Sequence, residues 1–421
     1  MHQRHDLLAE LTWRGLLYQH TDALPDALGG NPIRAYCGFD PTADSLHIGS
    51  LVPIMGLLHL QRAGHTPIAV IGGGTALIGD PSGKSSERQL MTVEDVERNS
   101  KAIEAQIGRF LEGTGTNAAR YVNNAEWLLE LRAVDFMRDV GKHFTVNYML
   151  AKDSVRSRFD AGISYTEFSY MLLQAYDFLQ LYRWERVTLQ IGGSDQWGNV
   201  TAGLELIRRA DGGEAHGLTL PLVTTADGSK FGKTEAGNVW LDAARTSPYQ
   251  FYQFWINVDD RDAGRYLRMF TLLPQGEIES LEQELTGHPE RRSAQRALAF
   301  DVTARTHGEE AAGVAEAVSG VLFGGGDSRT LREKDLDALA AEIPSVQMTR
   351  SAATSLTDLF AATQLAPSKS RARTLLAQGG AYVNGERATA ETTLDQLPLL
   401  PGRRLLLRRG SRDYALVTLT D

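Results

Sequence analysis

Residues 33–60 confine this chain to a narrow set of folds. Ile33 to Phe39 is an extended run, and Leu51 to Leu60 is an apolar run of helical length. Pro41-Thr42-Ala43-Asp44-Ser45-Leu46-His47-Ile48-Gly49-Ser50 joins them. The pattern predicts strand, turn and helix. Its turn sets an imidazole and a close-approach glycine at a helix N-terminus, where backbone N–H groups and the positive end of the helix dipole favour a phosphate. Many helices open on a polar turn that binds nothing, so one such turn is a weak sign. Further along, Pro67 to Gly72, Val187 to Ile191 and Thr219 to Thr224 are short apolar runs that read as buried strands, with helical runs between them. Such alternation implies an α/β fold with a parallel sheet and right-handed crossovers. Ligands then collect at the C-terminal edge of the strands.

Beyond residue 246 the pattern changes. From Ser247 to Phe323 strand signals vanish and helical ones dominate, as at Gly276–Leu285 and Arg292–Arg305; Gly324-Gly325-Gly326-Asp327 then breaks the chain. The pattern divides the chain into a parallel-sheet α/β domain at 1–225, a helical domain at 226–325, a linker at 326–353 and a small α+β domain at 354–421. Short helices are expected at Leu356–Ala362 and Lys369–Ala377, and an Asn384-Gly385 hairpin turn after them.

Charge is uneven across these parts. The whole chain carries −9, which does not announce a nucleic-acid binder, yet residues 354–421 hold nine Lys and Arg against six acids. That tail is +3 on a body of −12, an electrostatic footprint confined to one module. A single cysteine, Cys37, excludes an intrachain disulfide and fits a reducing compartment. The N-terminal residues lack the apolar core of a signal peptide, and no apolar run reaches membrane-span length. A cytoplasmic protein is expected.

Two apparent nucleotide motifs fail on spacing. Gly79-Asp80-Pro81-Ser82-Gly83-Lys84-Ser85 has Ile78 where a P-loop needs glycine, and Gly72-Gly73-Gly74 has Leu77 where a dinucleotide fingerprint needs its third glycine. A different pair is coherent. The early His-x-Gly turn and a late Lys-x-x-Lys loop, Lys230-Phe231-Gly232-Lys233-Thr234, form the combination used by enzymes that activate a carboxylate with ATP.

On these blocks, with Tyr36-Cys37-Gly38-Phe39-Asp40 and Gln190-Ile191-Gly192-Gly193-Ser194-Asp195-Gln196, the chain from about Trp13 to its end resembles the bacterial tyrosyl-tRNA synthetases, which are class I aminoacyl-tRNA synthetases. The resemblance implies a Rossmann-like catalytic domain, a helical domain for the anticodon region of tRNA, and a tail of ribosomal-protein type. His47–Ser50 falls on the family's HIGH motif, departing from it at Ser50 where histidine is usual. Lys230–Thr234 falls on its KMSKS loop. The implied catalytic set is Thr42, His47, Lys84, Arg88, Lys230, Lys233 and Thr234. Cys37, Gly38, Asp40, His47, Gly49, Ser50, Gly193, Asp195 and Lys233 are implied around ATP. The implied substrates are tyrosine, ATP with Mg²⁺, and tRNA(Tyr); a homodimer is implied, and no tightly bound cofactor.

The chemistry fits these residue types. A carboxylate attacking the α-phosphate of ATP is already ionised, so no general base is needed; the task is to align two anions and stabilise charge on pyrophosphate. Donors and cations do that. Amino-acid choice points to a helix opened by Ser164 and Glu167 as a capping box, on which Tyr170, Gln174 and Asp177 share one face. Periodicity alone equally allows a polar surface stripe. The resemblance assigns Tyr170, Gln174 and Asp80 to the substrate amino group, Asp177 and Tyr36 to its phenol, and Gln196 to the region of the carboxylate. A buried donor and acceptor left unpaired by phenylalanine would be costly, a discrimination for which this enzyme family is the standard example. For tRNA the expected contacts are Lys369, Arg371, Arg373, Arg403, Arg404, Arg408 and Arg409. The rival readings are a tryptophanyl enzyme of the same superfamily, a small nucleotidyltransferase, and a catalytically inactive RNA-binding adaptor.

Overall fold

The computed structural model describes residues 6–80, 90–156, 162–229, 231–234 and 237–421. They form two compact units, one of residues 1–246 with 258–298 and one of residues 247–257 with 299–421. Among the described residues no helix is long and apolar enough to cross a membrane.

The first unit is built on a six-stranded sheet. Its strands are β1 (Gln19–His20), β2 (Arg34–Phe39), β3 (Thr66–Ile71), β4 (Arg120–Asn123), β5 (Val187–Gly193) and β6 (His216–Leu220). Their spatial order is β1-β6-β5-β2-β3-β4, parallel throughout except for the short edge strand β1. The inner strands are buried on both faces, as Ile68, Ala69, Val70 and Ile71 show, which is why they read as continuous apolar runs. From β2 the chain moves one way to β3 and β4, then returns to the other side for β5 and β6. This reversal opens a crevice beyond the C-terminal ends of β2 and β5.

Strand β6 ends earlier than the sequence pattern suggests. The expected run Thr219–Thr224 spans Pro221, which has no N–H for the ladder. The strand instead spans His216–Leu220, wholly buried. The helix Leu51–Arg62 lies against the sheet with nearly all its residues buried. Gly56 permits the approach: a Cβ there would sit 2.8 Å from Leu220 Cδ1. The helix Tyr165–Glu185 packs on Trp197–Asp211. The helices expected in the later region form at Gln275–Gly287 and Ser293–His307.

The second unit carries a five-stranded sheet. Its strands are β9 (Ser345–Thr349), β10 (Ala381–Val383), β11 (Glu386–Arg387), β12 (Arg404–Arg409) and β13 (Asp413–Thr420), in the order β11-β10-β12-β13-β9. The short hairpin β7 (Lys233–Thr234) and β8 (Gly237–Asn238) belongs to the first unit. Asn384 and Gly385, at φ 49° and 85°, make the expected two-residue turn between β10 and β11. Both expected helices, Leu356–Ala362 and Lys369–Ala377, are present.

Residues 326–353, read as a linker, contain the helix Glu333–Glu342 and strand β9, which pairs with β13 in parallel. The strand alternates between exposed and half-buried positions at the sheet edge, so its apolar content is low and its sequence signal weak. The sheet buries both faces. Leu405, Leu407, Ala415 and Val417 pack with Leu359 and Phe360. Leu406 and Leu416 pack with Val318, Leu322, Leu336 and Leu339.

Candidate active site

The crevice at the strand reversal holds a cavity of about 200 Å³. Strand β2 delivers Tyr36, Cys37, Gly38 and, just past its end, Asp40; β5 delivers Gly193, with Asp195 and Gln196 in the turn that follows. The helix Tyr165–Glu185 adds Tyr170, Gln174 and Asp177, and Asp80 completes the set. Ser164 caps that helix by accepting the Glu167 N–H at 3.2 Å, the serine half of the expected capping box. Residues scattered from 36 to 196 in sequence thus line one space.

A buried carboxylate, Asp177, and a buried phenol, Tyr36, form the floor of the cavity. Asp177 is 4% exposed and accepts from Asn124 Nδ2 at 2.9 Å and from Trp127 Nε1 at 2.7 Å. Burial raises its pKa to about 7, against the lowering effect of those two hydrogen bonds. Tyr36 is 2% exposed, and its Oη has no hydrogen-bond partner among the described residues. Burial first, then the charges of Asp177 and Cys37, hold the Tyr36 phenol well above its usual pKa, so it stays a neutral donor. A buried donor without a partner beside a buried acceptor calls for a ligand group that does both.

Above this floor lies a polar network. Tyr170 Oη reaches Asp40 Oδ2 at 3.4 Å, and Thr75 Oγ1 donates to Asp40 Oδ1 at 3.0 Å. Gln196 Nε2 donates to Asp80 Oδ2 at 2.7 Å, while its Oε1 accepts from Gln174 at 3.2 Å and from Asn199 at 3.0 Å. The lining carries Asp40, Asp80, Asp177 and Asp195 and, among the described residues, no lysine or arginine. This wall suits an ammonium group and two ribose hydroxyls; it does not suit a triphosphate. Cys37 is buried and its thiol is pushed up to about 12 by desolvation, so it is inert packing at the cavity edge.

The residues expected around the ATP phosphates that the structure describes do not line this cavity. His47 caps the turn Ile48–Ser50, its Nδ1 accepting the Gly49 N–H at 3.0 Å. An accepting Nδ1 leaves the ring proton on Nε2, so the imidazole donates from that nitrogen. Gly49 is needed here: a Cβ would meet the His47 ring at 2.7 Å. Ser50 precedes Leu51–Arg62 without capping it through its side chain. Thr42 is exposed, its N–H bonded to Asp40 O at 2.8 Å. None of these lines the cavity. The backbone of Lys233 and Thr234 forms β7. Lys84, Arg88 and Lys230 lie outside the described residues.

In the second unit Lys369, Arg371 and Arg373 stand exposed on one short helix, with Lys369 paired to Asp358 at 2.7 Å. Arg403, just before β12, and the arginines of β12 are engaged within the unit. Arg403 pairs with Asp421, and Arg404, only 13% exposed in its side chain, bonds Asp337 and Glu333 O. Arg408 lies 4.1 Å over the Tyr382 ring, and Arg409 holds Asp413 and Leu365 O.

Sequence reasoning passed over Thr75, Asn124, Trp127 and Asn199. Each acts by holding another polar side chain in place. Thr75 and Asn124 follow β3 and β4 at the same sheet edge, the one sequence cue that would have found them.

A strand-reversal cavity of carboxylates beside a His-x-Gly helix start defines a class, and the comparisons agree with it. The family "tRNA synthetases class I (W and Y)" matches residues 29–324. The chain belongs to the class I aminoacyl-tRNA synthetases, in the branch for tryptophan and tyrosine. A second match, "Tyrosine--tRNA ligase SYY-like C-terminal domain", covers residues 335–417. The tyrosine–tRNA ligase of Anaeromyxobacter dehalogenans is 53% identical over 98% of this chain and 99% of its own length. That of Bacillus caldotenax is 54% identical over the same shares. A C-terminally truncated mitochondrial tyrosyl-tRNA synthetase of Aspergillus nidulans superposes with a TM-score of 0.69 at 28% identity, over 76% of this chain and 95% of that one. Within its branch the chain is a tyrosine–tRNA ligase.

Proposed function

We propose that tyrosine lies in the cavity with its phenol between Asp177 and Tyr36 and its ammonium near Asp80, Tyr170 and Gln174. Its carboxylate then points past Gln196 towards ATP, whose ribose meets Asp195, Gly193 and the Cys37–Gly38 edge. The buried, unpartnered Tyr36 Oη beside Asp177 carries this reading. The phenol donates its proton to Asp177 and accepts from Tyr36, so both buried groups are satisfied.

The first step joins a tyrosine carboxylate oxygen to the α-phosphorus and breaks its bond to the bridging oxygen, releasing pyrophosphate. Charge builds on that leaving group. His47 donates to the phosphates from Nε2, with Thr42 nearby, and Lys230, Lys233, Thr234, Lys84 and Arg88 supply the remaining donors and positive charge. In the second step a ribose hydroxyl at the 3′ end of tRNA(Tyr) attacks the adenylate carbonyl and AMP leaves. Mg²⁺ travels with ATP. It would be held by phosphate oxygens and would neutralise charge on them.

The C-terminal module anchors tRNA through Lys369, Arg371 and Arg373. The enzyme works in the cytoplasm as a homodimer. Leu129, Val134, Met137, Val146 and Tyr165, all within residues 129–165 of the sequence, are exposed apolar side chains that a subunit interface would cover. Equilibrium binding tests the assignment of the cavity. Tyrosine should bind far more tightly than phenylalanine or tryptophan, and Tyr36→Phe should erode its lead over phenylalanine. Equal affinities for tyrosine and phenylalanine in the parent would refute it.

A further inference from the structure

We propose that Trp240 is a positioning residue for adenylate formation, holding the His47 turn against the exit of the lysine-bearing loop. The proposal rests on the reading of His47 and Lys233 as groups that act on the phosphates.

The lysine loop runs into β7 and returns through β8. The chain after β8 does not leave the motif turn. Ile48 N–H donates to Val239 O at 3.0 Å, and Leu241 N–H donates to Leu46 O at 2.8 Å, with His47 directly opposite Trp240 in an antiparallel bridge. Asp242 N–H donates to the buried Ser45 Oγ at 3.1 Å. Val239 N–H reaches back to Gly232 O at 3.2 Å. Gly232, at φ 85°, approaches the turn so closely that a Cβ would lie 2.8 Å from Ile48 Cγ1. The turn and both ends of the loop therefore share one small backbone scaffold.

Trp240 sits at its centre. Its indole meets the His47 imidazole edge to face, with centroids 6.5 Å apart and planes at 65°. The Arg245 guanidinium lies 4.6 Å over the Trp240 ring and pairs with Asp44, in the same turn as His47. Thr246 Oγ1 accepts the Trp240 N–H at 3.0 Å. The Gly49 N–H fixes one edge of the imidazole and the indole limits its rotation. Nε2 is thereby held in one direction, and that direction is tied by backbone to wherever the loop goes. Trp240 need touch no substrate to do this.

The test measures single-turnover formation of tyrosyl-adenylate and tyrosine binding in the full chain. Trp240→Leu keeps apolar bulk but removes the aromatic edge. Misplacing a catalytic group by about 1 Å can cost ~100-fold, so the rate should fall ~10- to 100-fold. Tyrosine affinity should hold within about 3-fold, because the residue lies outside the tyrosine cavity. Trp240→Phe, which restores a ring, should recover most of the rate. In a double-mutant cycle, Trp240→Leu should add less than about 3-fold to His47→Ala, because both remove the same interaction. Arg245→Leu should slow the step without weakening tyrosine, and it stands in for Trp240→Leu should that variant fail to fold. A parent-like rate in His47→Ala would overturn the phosphate reading itself. A slow His47→Ala combined with a parent-like Trp240→Leu, or with strictly multiplicative effects, would overturn the positioning role alone.

Discussion

Replacing Asp177 by asparagine changes one atom and tests how the substrate hydroxyl is read. The carboxylate accepts from Asn124 Nδ2 and Trp127 Nε1 while 4% exposed. An asparagine oxygen can keep one of these donors; its NH₂ must face the other. One buried donor is left unpaired, at a cost of about 1–3 kcal/mol. The phenol of tyrosine also loses a charged acceptor, a bond worth about 1.5–3 kcal/mol. At about 1.4 kcal/mol per tenfold, kcat/KM for tyrosine should fall ~10- to 150-fold. Phenylalanine offers no hydroxyl and should change only a few-fold. Folding should survive. The raised pKa of Asp177, from 3.8 to about 7, means the folded state binds the extra proton between those values. Its stability contribution therefore declines as pH rises through that window and is at its worst above 7, a penalty of about 4 kcal/mol. Asparagine removes that penalty and offsets the unpaired donor. The assay is pyrophosphate exchange with each amino acid, with thermal unfolding run alongside. A folded variant whose tyrosine-to-phenylalanine ratio matches the parent would show that the hydroxyl is read elsewhere.

Lys233→Ala should cut the rate of adenylate formation far more than it weakens tyrosine binding, the mark of a contact made in the transition state; equal single-turnover rates would remove its assigned role. Thermal stability of the parent relative to Asp177→Asn should decline steadily from about pH 4 to pH 7 and then level off; a flat difference across that range would contradict the raised pKa. A chain ending at Pro344 should still make tyrosyl-adenylate, because every activation residue precedes Glu235. It should charge tRNA poorly and show a shallower loss of tRNA affinity with salt, since the phosphate contacts proposed for the tail would be gone. Normal charging with an unchanged salt slope would show that the tail is not the anchor.

The cut at Pro344 reflects what the structure adds to the pattern of residues. Cutting near Gln347 would leave half of β9, a strand the alternation of Ser345–Thr349 barely announces. The parallel sheet is legible because its inner strands are apolar on both faces; the apolar run 219–224 overshoots β6 because Pro221 cannot donate to the ladder. Much of the cavity lining is legible through motif blocks that end on strands. Asn124 and Trp127 are not, since they serve by bonding to Asp177 across a separation that no local period encodes. The arginine pairs at 403–404 and 408–409 looked like an RNA surface. Alternation along β12 gives neighbours different surroundings, and Arg404 is largely buried against the helix Glu333–Glu342. A count of charges cannot distinguish a solvated arginine from one already bonded.

Amino-acid-dependent exchange of labelled pyrophosphate into ATP tests the central claim most directly. Exchange should appear with tyrosine, be near background with phenylalanine and tryptophan, and require no tRNA. Exchange driven by tryptophan, or none with any amino acid, would contradict the account.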